Sequence, residues 1–127
     1  MILSKQMLAG IKRVEGLTIP SEELFLLPET ILQFGTGVLL RGLPDYFIDK
    51  ANKQGILGSR IVLVKSTGQG DASVFARQNN LYTQCIRGIE NGVCVDEAVI
   101  NASISRVLTA DKQWHEILSC AASHHLK

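Results

Sequence analysis

The chain has 127 residues, which is enough for one domain and hardly for two. Hydrophobic residues make up 46% of it and charged residues 20%, values that suit a folded core and exclude a disordered tail. The formal net charge is +1 and the basic residues are scattered, so nothing favours nucleic-acid binding. The three cysteines, Cys85, Cys94 and Cys120, form no C-x-x-C pair and are predicted to be buried free thiols in a reducing compartment.

The N-terminal segment carries Lys5, Lys12 and Arg13, which interrupt it before an apolar run can form. No signal peptide is therefore predicted. No stretch approaches the roughly 20 apolar residues that a membrane helix needs, so we expect a cytoplasmic protein with no membrane partner.

Residues 1–29 are predicted to form an N-terminal arm. Within it, Ser21 is expected to cap a short helix that Pro28 ends. Residues 30–34 then form an apolar run typical of a short buried strand, and two glycines follow at once.

The segment after these glycines has apolar residues at helical spacing. We expect one helix face to be apolar and buried, formed by Leu39, Leu40, Leu43, Phe47, Ile48 and Ala51. The opposite face carries charged residues that we expect to be solvated: Arg41, Asp45, Asp49, Lys50 and Lys53. Pro44 either begins a helix that starts late or kinks an earlier one. We favour the late start, with a long glycine-bearing loop before it and a C-terminal stop at Gly55.

A β-branched run at residues 60–64 predicts a strand buried on both faces, as in a parallel sheet. Residues 66–71 have the composition of a loop. Together with the preceding strand and helix, this run makes one βαβ unit.

The second half of the chain predicts a β-hairpin. Strands at residues 81–87 and 93–100 flank a turn at residues 88–92, which ends in Asn-Gly. Residues 104–108 predict a further strand.

The end of the chain predicts one more helix and the start of a strand. We expect Thr109 or Asp111 to cap the helix. One helix face should hold its apolar residues, Trp114, Ile117, Leu118 and Ala121. Residues 126–127 resemble the beginning of another strand, which a doubly wound sheet requires.

A strand, a Gly-x-Gly and a helix form the first half of the dinucleotide-binding fingerprint. Gly35 would permit the tight turn, and Gly37, which has no side chain, would let a diphosphate approach the backbone. Free N–H groups at the helix start would bind its negative charge. The usual third glycine is replaced by Leu40, so the motif alone also fits a purely structural turn.

Two stretches carry a family resemblance. Residues 31–42, with Gly35-Thr36-Gly37 and Arg41, resemble the opening of the mannitol dehydrogenase family of long-chain polyol dehydrogenases, closest to its tagaturonate reductase branch. Residues 78–83, together with Arg87 and Gly88, resemble a second shared stretch of that family. The resemblance begins near residue 30 and implies an α/β fold. We expect residues 30–127 to be an incomplete Rossmann-like nucleotide-binding domain with an inserted β-hairpin.

The resemblance implies an enzyme of hexuronate breakdown that interconverts altronate and tagaturonate with NAD(H). Mannonate–fructuronate and mannitol–fructose chemistry remain alternatives within the family. By the same likeness, one segment wraps the cofactor diphosphate: Ile31, Leu32, Gln33, Phe34, Gly35, Thr36, Gly37, Val38, Leu39, Leu40, Arg41 and Gly42. Arg41 would contact a phosphate; a solvated helix charge is the alternative.

The end of the second strand bears on cofactor choice. Enzymes that use NAD usually have an acid there for the ribose 2′-hydroxyl, whereas this chain has Lys65 and Ser66. A lysine suits the 2′-phosphate of NADP. The family likeness favours NAD, and Asp71, the next acid, lies well into the loop.

No residue of the chain is assigned to catalysis. The family is understood to use a lysine, assisted by Asn and His, in a helical C-terminal domain that has no counterpart here. His115 and Glu116 are adjacent, and His124 and His125 lie at a helix end, so none has metal-ligand spacing.

The chain alone should therefore be inactive. The alternative is a stand-alone nucleotide-binding or regulatory module. An exposed sheet edge is expected to permit a dimer.

Overall fold

The structure, a computed structural model, describes residues 2–68 and 70–127. Three parallel strands form its central sheet in the order β2-β3-β6: β2 (Glu29–Phe34), β3 (Arg60–Lys65) and β6 (Ile104–Thr109). All six residues of β3 are buried, as the β-branched run predicts. Helices connect the strands, so the α/β class and the βαβ unit are confirmed.

A second three-stranded sheet is formed by β1 (Leu17–Thr18) and the two strands of the hairpin. The hairpin strands β4 (Tyr82–Glu90) and β5 (Val93–Asn101) are antiparallel and inserted between β3 and β6. The predicted turn was too long, because β4 continues to Glu90 and only Asn91 and Gly92 connect the strands. Both have positive φ, 51° and 78°, as a two-residue turn that matches the strand twist requires.

The N-terminal arm packs against the base of this hairpin. It contains α1 (Lys5–Leu8), β1 (Leu17–Thr18) and a 3₁₀ helix (Glu22–Leu26). β1 runs parallel to β5. The predicted Ser21 cap hydrogen bond does not form, since the element is a 3₁₀ helix and the Ser21 side chain makes no bond to its amides. Arm residues cover the apolar cluster of Leu81, Ile100 and Ala102.

Two helices join β2 to β3. The long loop predicted before Pro44 was wrong, because residues 38–42 form α2 (Val38–Gly42). Pro44 begins α3 (Pro44–Lys53) at its first position, as expected, where the missing N–H costs nothing. Gly55 ends α3 with φ +70°, and the Ile56 amide donates to the Ala51 carbonyl.

The fully buried side chains of α3 belong to the face that was expected to be solvated, and the expected apolar face is only partly buried. Asp45 and Asp49 are 0% and 1% exposed, whereas Phe47 is 56% exposed and Ile48 and Ala51 are partly buried. The carboxylate of Asp49 accepts the Ala102 amide at 2.8 Å. The irregular chain between β5 and β6 thus receives polar partners from α3, and helical spacing does not reveal which face is turned inward.

The last helix, α5 (Trp114–Ala121), packs on the central sheet through fewer residues than predicted. Ile117 is buried against Val62, Val64 and Leu108, but Trp114 and Leu118 are about half exposed. Neither predicted cap is right. Gln113 is the N-cap residue that precedes the helix, and its side-chain oxygen accepts a hydrogen bond from the Thr109 amide.

The cysteines are not uniformly buried, which corrects the prediction. Cys85 and Cys94 lie exposed on the hairpin, where two strands alone cannot cover both faces. Cys120 is partly buried against the core. All three are free thiols. No helix formed by the described residues is long and apolar enough to cross a bilayer.

Candidate functional site

The site lies at the carboxyl edge of the central sheet, where the chain leaves β2 at Gly35. Gly35 has φ +109°, which side-chain-bearing residues rarely adopt, and its amide donates to the Val64 carbonyl of the neighbouring strand at 2.9 Å. A Cβ here would come within 2.9 Å of the Leu40 side chain. Leu40 therefore packs onto Gly35, and the residue that replaces the third glycine helps to form the bend.

Gly37 precedes α2 in an extended conformation, with φ −64° and ψ 156°. A Cβ built on it meets nothing within 4 Å, so its outer side is open. No side chain caps the helix. Within the described part of the chain, the amides of Val38, Leu39 and Leu40 have no hydrogen-bond partner. An open glycine followed by unpaired helix-start amides suits an anionic group.

The predicted residues before the bend lie in β2. Ile31, Leu32 and Gln33 are half-buried in the strand, and Phe34 is exposed at its end. The Gln33 side chain donates to the Asp45 carboxylate at 3.2 Å, which ties β2 to the start of α3. Of the predicted segment, only residues 35–42 belong to the bend and the helix that follows.

Asp45 is a buried ionisable group in the first turn of α3, the helix that follows α2. Burial raises its pKa to about 6, against smaller opposing effects of the Gln33 hydrogen bond and the Arg41 charge. One of its carboxylate oxygens, Oδ1, is buried without a partner. Ionising this carboxyl group in the folded chain costs free energy, because the group is buried away from water.

Arg41 is not a free surface charge. Its guanidinium lies 5.5 Å from the ring centre of Phe75 and 5.7 Å from that of Tyr82. The Tyr82 hydroxyl donates to the Arg41 carbonyl at 2.9 Å. Burial, together with the charges of Asp45 and Asp49, raises the pKa of Tyr82, so its hydroxyl stays a donor.

The second predicted part of the site follows β3. Since β2 and β3 are parallel and Phe34 is in register with Val64, the glycine bend and this loop share one sheet edge. Lys65 is buried, and its ammonium group donates to the Thr67 carbonyl, whereas Ser66 is exposed. The ammonium group therefore already has a partner within its own loop.

Asp71 is a residue that sequence reasoning set aside as too far into the loop. It lines the same cavity as Lys65, of about 270 Å³, together with Gly68, Gly70 and Ser73. Hydrogen bonds from the hydroxyl and amide of Ser73 lower the pKa of the Asp71 carboxyl group. The loop folds back so that this carboxylate lies beside the strand end, which linear distance along the chain does not indicate.

Other polar clusters and cavities give no comparable indication of a ligand site. Among the described residues no group of three His, Cys, Asp or Glu side chains is placed to hold a metal ion. His115 and Glu116 line a shallow cavity with Arg106, which is paired with Glu29. A cavity of about 550 Å³ lies in the arm between Leu8 and Phe25, and none of the predicted site residues lines it.

No family model matches the chain. Altronate oxidoreductase of Halalkalibacterium halodurans is 41% identical over 98 residues, which cover 76% of this chain and 19% of that protein. The Bacillus subtilis altronate oxidoreductase is 33% identical over 100 residues, 79% of this chain and 21% of that protein. The chain is similar to altronate oxidoreductases over about three quarters of its length, which supports the predicted family. It spans about a fifth of the length of these relatives.

Solved structures show the same fold. Mannitol 2-dehydrogenase of Pseudomonas fluorescens, in a ternary complex with NAD and D-mannitol, superposes with a TM-score of 0.82 at 24% identity. The match covers all of this chain and 25% of that one. A substrate-free D-sorbitol dehydrogenase gives 0.81 at 17% identity, over 99% of this chain and 25% of its own. The predicted, incomplete Rossmann-like fold is thereby confirmed.

Proposed function

We propose that the chain is the N-terminal, cofactor-binding part of an NAD-dependent oxidoreductase that interconverts altronate and tagaturonate. Residues 30–127 are its nucleotide-binding domain and residues 1–29 an arm. The observation that supports this proposal most is the bend after β2. There Gly37 has free space beside it, and the amides of Val38 and Leu39 have no hydrogen-bond partner among the described residues. The altronate oxidoreductase relatives support the sugar-acid reaction.

The bend fits the diphosphate of a dinucleotide in shape and charge. Gly37 leaves space where any Cβ would stand, and the first amides of α2 supply donors for phosphate oxygens. The bound nicotinamide supplies the hydride chemistry, while this chain binds and orients the cofactor. We assign none of its residues to proton transfer, so the chain alone is inactive.

NAD is the proposed cofactor, ahead of NADP. Lys65, the residue suited to a 2′-phosphate, is buried and bonded to the Thr67 carbonyl. The carboxylate of Asp71 lies in the same cavity and would accept a hydroxyl but repel a phosphate. The NAD complex of the structurally similar mannitol 2-dehydrogenase supports the same choice.

A chimera tests the proposal. The matching region of the Halalkalibacterium halodurans enzyme is replaced by residues 30–127, and reduction of tagaturonate is measured with NADH and NADPH. We expect activity with a preference for NADH, and Asp71→Asn should lower this preference while Lys65→Met leaves it unchanged. A folded chimera that oxidises mannitol but not altronate would redirect the substrate proposal, and one that binds no dinucleotide would refute the function.

A stand-alone nucleotide-binding module is the competing proposal. The unpaired amides of α2 are compatible with it, since they need no second domain to be exposed. It requires micromolar binding of NADH by the isolated chain, which calorimetry measures. A well-folded sample that binds only at millimolar concentration or not at all would remove this alternative and leave the dehydrogenase proposal intact.

A further inference from the structure

Two aromatic side chains from different elements hold Arg41. Phe75 belongs to α4 (Ser73–Arg77), which follows the loop after β3, and Tyr82 begins the inserted hairpin. The guanidinium lies within 6 Å of both ring centres, the range in which a cation is attracted by an aromatic face. The last turn of α2 is thus connected to both neighbouring elements through one side chain.

The hairpin also fixes the backbone of this turn. The Tyr82 hydroxyl donates to the Arg41 carbonyl, and the Gln84 side chain donates to the Gly42 carbonyl at 2.7 Å. The last carbonyls of a helix have no partner within it, so these bonds satisfy groups that α2 alone leaves open. Tyr82 therefore constrains both the main chain and the side chain of Arg41.

Among the residues that the structure describes, the Arg41 side chain nevertheless has no polar partner. Its Nε is buried without a hydrogen bond, and Arg41 makes no ion pair with a described carboxylate. Arg60, by contrast, donates to the carbonyls of Ala102 and Ile104. A buried donor without an acceptor is costly on a charged group.

Arg41 lies in the last turn of α2, the helix that follows the glycine bend. It lines a small cavity of about 160 Å³ together with Val38, the first helical residue after Gly37, and with Tyr82. A guanidinium held by two rings loses little conformational freedom when it binds an anion.

We propose that Tyr82 and Phe75 are positioning residues that hold the Arg41 guanidinium for a phosphate group of the ligand at the glycine bend. The inference rests on the proposed nucleotide-binding function and extends it to the inserted hairpin. The hairpin completes the anion site from the side, so the insertion contributes to binding as well as to the fold.

The test combines ligand titration with a ligand-free measurement. The chain and its variants are titrated with NADH and with inorganic pyrophosphate, and thermal unfolding confirms that each variant is folded. Tyr82→Leu and Phe75→Leu should weaken binding about five- to thirty-fold, and Tyr82→Phe, which keeps the ring, by less. Tyr46→Leu is the matched control: it removes a ring 5.8 Å from the Lys50 ammonium and should not affect binding.

NMR of the arginine Nε–H groups supplies the second readout. In the wild-type chain the Arg41 Nε proton should exchange slowly with solvent and shift upfield under the rings, unlike that of the exposed Arg87. Both signatures should be lost in Tyr82→Leu and kept in Tyr46→Leu.

The outcomes separate this inference from the proposed function. If the wild type binds NADH and a folded Tyr82→Leu binds equally well, the positioning role is overturned while nucleotide binding stands. If the wild type binds neither probe, binding by the isolated chain is refuted. Slow exchange of the Arg41 Nε proton that depends on Tyr82 would then still support the holding of Arg41 by the two rings. Arg41 exchange as fast as that of Arg87 overturns it.

Discussion

Gly35 and Gly37 have different physical roles although they are two residues apart. Gly35 needs its positive φ and the space that Leu40 fills, whereas Gly37 has an ordinary φ and an open flank. The sequence motif predicted a bend and a ligand approach here. It did not predict that Leu40 packs against Gly35, because that contact depends on the path of α2.

Alanine substitutions at these glycines should therefore separate stability from binding. Gly35→Ala should cost roughly 2 kcal/mol or more, from backbone strain and the clash with Leu40. Gly37→Ala should change stability by about 0.5 to 1 kcal/mol and mainly weaken pyrophosphate binding. Urea denaturation of both variants checks this, and equal losses of stability would show that the two glycines are not distinguished in this way.

Asp45 should make stability fall as the pH rises. Its pKa in the folded chain is about 6, above the ordinary value of 3.8, so the folded state holds the extra proton. The associated stability is fully present below about pH 4 and is lost as the pH passes through 6, by an amount on the order of 2 kcal/mol.

Asp45→Asn tests this dependence, because asparagine cannot ionise. Urea midpoints measured between pH 4 and 7 should decline less in the variant than in the wild type. Asp96→Asn is the control, since Asp96 is exposed on the hairpin and paired with Arg87. Parallel pH profiles for Asp45→Asn and the wild type would contradict the raised pKa.

At the scale of elements, the strands of the central sheet and the hairpin were predictable, whereas β1 and the orientation of α3 were not. Residues 126–127, which were expected to begin a strand, form none, although the Lys127 amide donates to the Thr30 carbonyl of β2. β3 and the hairpin follow from β-branched and alternating runs, and the Asn91–Gly92 turn follows from its residue types. The periodicity of α3 predicted an amphipathic helix, but the buried side is polar. The hydrogen-bond partners of this side are backbone groups of residues 100–102. Because these residues are about 50 positions away in sequence, the local pattern of α3 cannot predict that they need polar partners.

The polar face of α3 should accordingly stabilise the fold. Asp49→Ala leaves the Ala102 amide without its acceptor and Lys53 without its carboxylate, 2.5 Å away, which should cost about 2 to 4 kcal/mol. Lys50→Ala, on the exposed side, should change stability by less than about 0.5 kcal/mol. Thermal unfolding compares them, and a reversed ranking would indicate that α3 packs through its apolar face.

At the scale of the whole molecule, α2 and α3 expose a row of apolar side chains that no described residue covers. Val38, Leu39, Leu43 and Phe47 are each more than half exposed along α2 and α3. An apolar surface of this kind normally has a covering partner.

We therefore expect the isolated chain to self-associate through this apolar surface. Sedimentation velocity at increasing concentration should show species larger than a monomer, and the double variant Leu39→Glu, Phe47→Glu should shift the chain to monomer. Leu26→Glu, at a more exposed position in the arm, is the control. Association that persists in the double variant would assign it to another surface, such as the open edge of β2 or β4.

Residue-resolved NMR during ligand addition tests most directly whether the glycine bend binds a diphosphate. Millimolar NADH or pyrophosphate should shift the amide signals of Gly37, Val38 and Leu39 first, and Gly37→Val should abolish these shifts while the spectrum stays that of a folded chain. Shifts that appear elsewhere in a folded wild type but not at these three amides would contradict the account.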